Sequence, residues 1–330
     1  MVFANKWVLV TSSAPLFFLF VQLIIAIILF VLSHFAGLFT IPFTLNLHII
    51  RGMAPLVCVN VLGLSFNNYT LKYVDASFYQ VARGLVLPFT VLLSYLFLHS
   101  RPSLKVLLSC GIVTLGFFIG VFLDNYNTAA TAPTTSTLNT LGIFFGLLSS
   151  LTTASSAIII KRSLATSVVE GSTVALAWYS NLLSAIVLLP LVWIVGEFEA
   201  VSDLIFGTDE EERGKFLYGA AITGVFGFLI CIAGFLSIKV TSPITHMVSS
   251  AVRGVASSLL GVWLFNEVIT GGRGTSITVI LLGSIYYTWV KNAEQNQTDG
   301  YQNDREREKV LEQNNIGDLE KGRKTPVREA

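Results

Sequence analysis

The sequence predicts an all-α, polytopic membrane helix bundle with inverted five-helix repeats, and three observations carry that prediction. Charge is scarce: of 330 residues, 53% are hydrophobic and 12% charged, with a mean hydropathy of +0.70, against about 25% charged in a soluble domain. So few charges cannot cover a water-facing surface. The apolar residues are gathered into runs of about 20, long enough for a helix to cross a hydrocarbon core of roughly 30 Å. Finally, segments around Lys72 and Lys239 repeat one pattern 167 positions apart.

Nine apolar runs follow one another. The first is Ala14–Ser33; the second, Gly52–Leu71, closes on Asn67-Asn68, a pair that reads as polar packing. The third, Ser77–Leu98, carries Tyr79 and Arg83 inside it. The fourth, Leu104–Leu123, and the seventh, Phe216–Ile238, hold the series Gly111, Gly116, Gly120 and Gly219, Gly224, Gly227. Small residues let helices approach where lipid gives them no hydrophobic drive to associate. The fifth run is Leu138–Ile160, and the sixth, Thr173–Val195, contains Trp178-Tyr179-Ser180-Asn181. The eighth, Ile244–Phe265, contains Ser249, Ser250 and Arg253, and the ninth is Gly274–Val290. Cys58, Cys110 and Cys231 lie inside these runs without metal-ligand spacing and read as packing residues.

The loops set orientation, because basic loops stay cytosolic. Arg101 and Lys105, then Lys161-Arg162, then Lys239 and Lys291 mark loops of one parity. Between them lie 124–139, with no basic residue, and Gly196–Lys215, with the acidic run Asp209–Glu212. The acidic loop is therefore expected in the lumen. The polar, mixed-charge stretch 293–330 is expected to be a disordered cytosolic tail.

The repeat aligns Leu71-Lys72 and Arg83-Gly84 with Ile238-Lys239 and Arg253-Gly254. Lys72 falls on the lumenal side and Lys239 on the cytosolic side, so the halves enter the membrane in opposite directions. That is the inverted-repeat plan of secondary transporters, with the substrate between the halves near the midplane. The expected division is 1–124 as a first repeat, 125–137 as a lumenal linker and 138–292 as a second repeat. The fifth run has no counterpart in the first repeat, and Phe3–Leu9 resembles the exit of a span. The expectation is nine spans of a ten-span fold whose first helix is missing, lost or cut off by a wrong start codon.

Of the lysines and arginines before the tail, only Arg83 and Arg253 lie well inside apolar runs. A cation there costs several kcal/mol and marks a functional site by default. No Asp or Glu lies inside any run, Glu267 at a run's end being nearest. A bound anion such as a diphosphate, bridging two guanidinium groups, would supply the countercharge. Snorkelling or capping of helix C-termini is the alternative. The lack of intramembrane carboxylates argues against proton or sodium coupling and for exchange of one anion for another. Tyr179, Ser180 and Asn181 could stack on and hydrogen-bond a base, or join helices. Tyr79 is a second candidate or an interface tyrosine, and Ser249 and Ser250 could donate to phosphate or simply pack. Nothing points to an enzyme, a metal or a cofactor: His34, His48, His99 and His246 have no metal spacing, and no phosphate-cradling glycine loop occurs. A net charge of +1 names no nucleic-acid partner.

Phe66-Asn-Asn-Tyr-Thr-Leu-Lys72-Tyr-Val, Phe78-Tyr79-Gln-Val-Ala-Arg83, Thr241-Ser-Pro-Ile-Thr-His246 and Tyr287-Thr-Trp-Val290 resemble the nucleotide-sugar transporters of the drug/metabolite transporter superfamily. The resemblance covers roughly residues 5–291. It implies a GDP-sugar carrier of the Golgi membrane, with the endoplasmic reticulum as the alternative. Such a carrier exchanges its substrate for GMP. The family's Phe-Tyr-Asn-Asn motif for guanine corresponds to Trp178-Tyr179-Ser180-Asn181, and its small-residue run ending in lysine, for phosphate and sugar, to Ser249–Arg253. Ser180 and Arg253 depart from that pattern, which leaves the sugar open. The alternatives are another phosphorylated solute, a triose phosphate or UDP-sugar, or a non-transporting scaffold. A homodimer is compatible with the sequence, which fixes no oligomeric state.

Overall fold

The computed structural model describes residues 2–12, 14–74, 76–99, 101–130, 140–165, 172–207, 209–241, 271–272, 274–294 and 297. Regular structure among them is entirely helical. In chain order the helices are α1 (Val2–Thr11), α2 (Pro15–Phe35), α3 (Leu47–Tyr73), α4 (Ala76–Gly84), α5 (Val86–Leu98) and α6 (Leu104–Ala130). They continue with α7 (Thr140–Ala165), α8 (Thr173–Ile194), α9 (Phe198–Phe206) and α10 (Glu210–Val240); α11 covers 274–294.

Among the described residues, seven stretches are long and apolar enough to cross a membrane, and they coincide with the first seven expected spans. The eighth, Ile244–Phe265, lies outside the described residues. The ninth is helical as α11, although it is not among the seven. Its hydroxyls lower its hydropathy, but they are absorbed locally: Thr278, Ser284 and Thr288 donate to the carbonyls four residues back at 2.9, 2.8 and 2.8 Å. Large apolar side chains such as Leu32, Phe118 and Trp289 stay exposed, at 57, 51 and 65%, as lipid-facing surface requires.

The structure departs from the expected elements in three places. The third span is not one helix: α4 ends at Gly84, Leu85 is a turn, and α5 begins at Val86. Pro88 explains the break, because it has no N–H to give Gly84 and its ring crowds that carbonyl. The Leu85 N–H bonds Ala82 O instead, at 3.1 Å. The fourth span runs on as helix to Ala130, so the start of the expected linker is helical. The expected acidic loop is largely helix as well, holding α9 and the first turns of α10. Asp209 starts α10 by accepting from the N–H groups of Glu211 and Glu212, and Glu210–Glu212 favour the positive end of the helix dipole. Phe3–Leu9, expected as the exit of a span, is helical within α1, with Val8 and Leu9 each 1% exposed.

The bundle is organised around the antiparallel pair α3 and α7. Gly63 of α3 abuts Thr152, while Gly142, ten residues earlier in α7, abuts Val74 just past the end of α3. A Cβ on Gly146 would sit 3.0 Å from Ala82 Cβ, so α4 also lies directly on α7. These close approaches are packing contacts where no hydrophobic drive operates.

Helix α2 begins with no side-chain cap of its own. Its free N–H groups are met from a distance: Glu197, 6% exposed, accepts from Leu16 at 3.1 and 3.0 Å and from Phe17 at 3.0 Å. Tyr69 adds a hydroxyl at 3.3 Å. Burial raises the Glu197 carboxyl above its ordinary value, and these hydrogen bonds oppose that shift.

Candidate functional site

Between α1, α2, α3, α4, α7, α8 and α10 lies a cavity of about 480 Å³, within the roughly 300–1,000 Å³ of small-molecule sites. Arg83 lines it. The break after Gly84 puts Arg83 in the last turn of α4, where the negative end of a helix dipole favours a cation.

Three helices hold this arginine in place. Tyr79 sits one turn before it on the same face of α4. Arg83 Nη1 donates to the Tyr79 hydroxyl at 3.1 Å, and the guanidinium lies 5.6 Å from the centroid of the Tyr79 ring. The Tyr79 hydroxyl donates to Asn67 Oδ1 of α3 at 3.0 Å, and Ser149 of α7 donates to the same oxygen. Ser150 of α7 donates to Ala82 O at 2.8 Å, tying down the end of α4.

The rest of the polar lining is neutral carboxamide and hydroxyl. Gln22 of α2 donates to Asn5 Oδ1 at 3.0 Å and to Thr223 Oγ1 at 2.6 Å, joining α1, α2 and α10. Asn60 of α3 reaches Ser180 and Ser184 of α8 at 3.4 and 3.3 Å. Asn181 donates to Ala177 O at 2.8 Å and to Cys231 Sγ at 3.4 Å, and it too lines the cavity. No acidic side chain appears among the described lining residues.

The structure therefore brings Arg83, Tyr79 and Asn181 to one cavity and separates their sequence neighbours from it. Tyr179 is 2% exposed and donates to Thr44 O at 2.8 Å in the α2–α3 connection. Trp178 packs edge-on to Phe30 and Phe43, at 6.1 and 6.0 Å between centroids. Ser180 is 1% exposed and supports Asn60 from behind. Consecutive residues of a helix point about 100° apart, so the four residues of this motif face different neighbours. Ser249, Ser250 and Arg253 lie outside the described residues. Sequence reasoning passed over Gln22, Asn5 and Asn60 and gave Asn67 only a packing role. The signal was there: Gln22 is a carboxamide in an otherwise apolar run.

A membrane helix bundle around a cavity that Arg83 lines together with carboxamides and hydroxyls has the build of a solute transporter. Residues 1–288 match the Triose-phosphate Transporter family. Over 308 residues the chain is 34% identical to "GDP-fucose transporter 1" of Mus musculus, covering 90% of this chain and 81% of that protein. Over 305 residues it is 33% identical to "GDP-fucose transporter, Golgi" of Drosophila melanogaster, covering 89% and 86%. One solved protein crystal structure superposes with a TM-score of 0.54 at 13% identity, covering 87% of this chain and 97% of that one, a likeness of fold alone. The chain belongs to the triose-phosphate transporter family, and it is a multi-pass membrane transporter rather than an enzyme.

Proposed function

We propose that this chain is a nucleotide-sugar antiporter of the Golgi membrane that brings a GDP-sugar, foremost GDP-fucose, into the lumen in exchange for GMP. The observation that carries this reading is Arg83, fixed by Tyr79 and Asn67 at the edge of a cavity whose remaining polar lining is neutral amide and hydroxyl. A fixed guanidinium suits a phosphate oxygen. Carboxamides, which both donate and accept, suit a guanine edge and sugar hydroxyls. In this reading Asn181 meets the base. Arg253, with Ser249 and Ser250, would bring a second cation and two hydroxyls to the phosphates from the opposite repeat. The names of the relatives support the guanine nucleotide and the Golgi.

The inverted repeat belongs to the same proposal. Its support is the antiparallel α3–α7 pair and the matched lysine contacts at the ends of α3 and α10.

Exchange in proteoliposomes tests the function. Vesicles loaded with GMP should take up labelled GDP-fucose, and vesicles loaded with UMP or phosphate should not. Exchange of UMP for a labelled UDP-sugar, with none of GMP for GDP-fucose, would replace the guanine assignment, and exchange of phosphate for a labelled triose phosphate alone would favour that solute, the one in the family's name. No exchange with any of the three would favour a scaffold.

A further inference from the structure

The arginine is aimed by a residue that never touches it. We propose that Asn67 is a positioning residue: its side-chain carbonyl orients the Tyr79 hydroxyl so that Tyr79 accepts from Arg83, and so sets where the guanidinium presents its remaining donors. The proposal rests on the reading of Arg83 as the phosphate-binding group.

Hydrogen-bond polarity fixes the arrangement. A guanidinium can only donate, so the Tyr79 oxygen must accept at its 3.1 Å contact with Arg83 Nη1. The hydroxyl then has one proton to place. A proton turned towards Arg83 would set donor against donor. Asn67 Oδ1, 3.0 Å away, draws that proton to the other side. Ser149 donates to the same oxygen and holds the amide in this orientation. The chain therefore runs in one direction: Arg83 donates to Tyr79, and Tyr79 donates to Asn67.

Residues outside α4 also reach this end of it. Asn67 of α3 meets Tyr79, Ser149 of α7 meets Asn67, and Ser150 of α7 meets the Ala82 carbonyl.

The test compares two ligands that differ by a phosphate, GMP and guanosine. Binding to the purified full-length protein is read as ligand-induced thermal stabilisation. Asn67→Leu keeps the volume and removes the acceptor. It is expected to weaken GMP about tenfold, the scale of one displaced charge-assisted hydrogen bond, and to leave guanosine unchanged. Because Asn67 acts through Tyr79, Asn67→Leu combined with Tyr79→Phe should bind GMP no more weakly than Tyr79→Phe alone. Ser149→Ala, a milder change, should show a smaller loss of the same pattern, and it carries the test if Asn67→Leu does not fold. Equal losses for GMP and guanosine, or additive losses in the double variant, would overturn the proposal. Inorganic phosphate is run beside the nucleotides. Wild type that binds phosphate but no nucleotide would sink the GDP-sugar reading, and Asn67 would then be judged by the same variants on phosphate. Wild type that binds none of these ligands would overturn both.

Discussion

Lys6 and Lys161 close the C-terminal ends of two different helices in the same way. Lys6 Nζ donates to Leu71 O and Val74 O, at 2.6 and 2.7 Å, at the end of α3. Lys161 Nζ donates to Ile238 O, Lys239 O and Thr241 O, at 3.2, 3.3 and 3.2 Å, at the end of α10. Leu71 and Ile238, like Val74 and Thr241, stand 167 positions apart. Val74 packs on Gly142 of α7, and Lys161 lies 19 residues further along that helix, or about 28 Å at 1.5 Å per residue. The two caps thus stand at opposite ends of the bundle. Each satisfies carbonyls that a helix end leaves without partners, and each places a cation where the dipole favours one.

Removing either cap should destabilise the fold. Lys6→Met should cost roughly 1–3 kcal/mol, the scale of hydrogen bonds to a charged group in a partly buried site. Lys161→Met should cost less, because two of its three contacts are exposed. Thermal unfolding in detergent checks both, and equal wild-type melting of Lys6→Met would remove the cap from the account.

Glu197 should give stability a pH dependence. Its folded value is raised above the ordinary 4.5, chiefly by burial. Protonation is therefore easier in the folded chain than in the unfolded one. The stabilisation is complete below 4.5 and is lost as pH climbs through the raised folded value. Glu197→Gln, which cannot titrate, should flatten this part of the melting profile, measured in steps from mild acid to neutrality. An unchanged slope would place the titration elsewhere.

Arg83→Gln should abolish exchange while expression and melting stay near wild type, because the loss falls on ligand binding. Arg83→Lys keeps the charge but loses the planar fork that meets both Tyr79 and a phosphate. It should retain a reduced fraction of the rate. Normal exchange by Arg83→Gln would end the role given to this residue.

Pro88→Ala should restore an N–H able to bond Gly84 O and let α4 continue into α5. Arg83 would then lie inside a helix instead of at its end. Exchange should fall even though proline-to-alanine at an interior helical position favours the helix itself. Unaltered transport would show that the break does not matter to the site.

Much of this protein is written locally. Hydrocarbon thickness filters the sequence run by run, so Ala14–Ser33 or Leu104–Leu123 declares itself without reference to anything else. Arg83 stands out for the same reason, since the cost of a cation in an apolar run depends on the run alone. Even the interruption after Gly84 is local, since Pro88 removes the N–H that the Gly84 carbonyl would accept.

What the tertiary structure decided is direction. Tyr179 and Asn181 are two residues apart, yet one is buried against Thr44 and the other lines the cavity. Gln22 meets Thr223 across 201 positions, and Asn67 meets Ser149 across 82. A helix's rotation about its axis is set by the small-residue contacts of its neighbours, as at Gly63 and Thr152 or Gly146 and Ala82. Those contacts join residues far apart in the chain. Composition and spacing fix which segments enter the membrane and which of them carries the cost of a charge. Only the packing of α3, α4 and α7 fixes where that charge points.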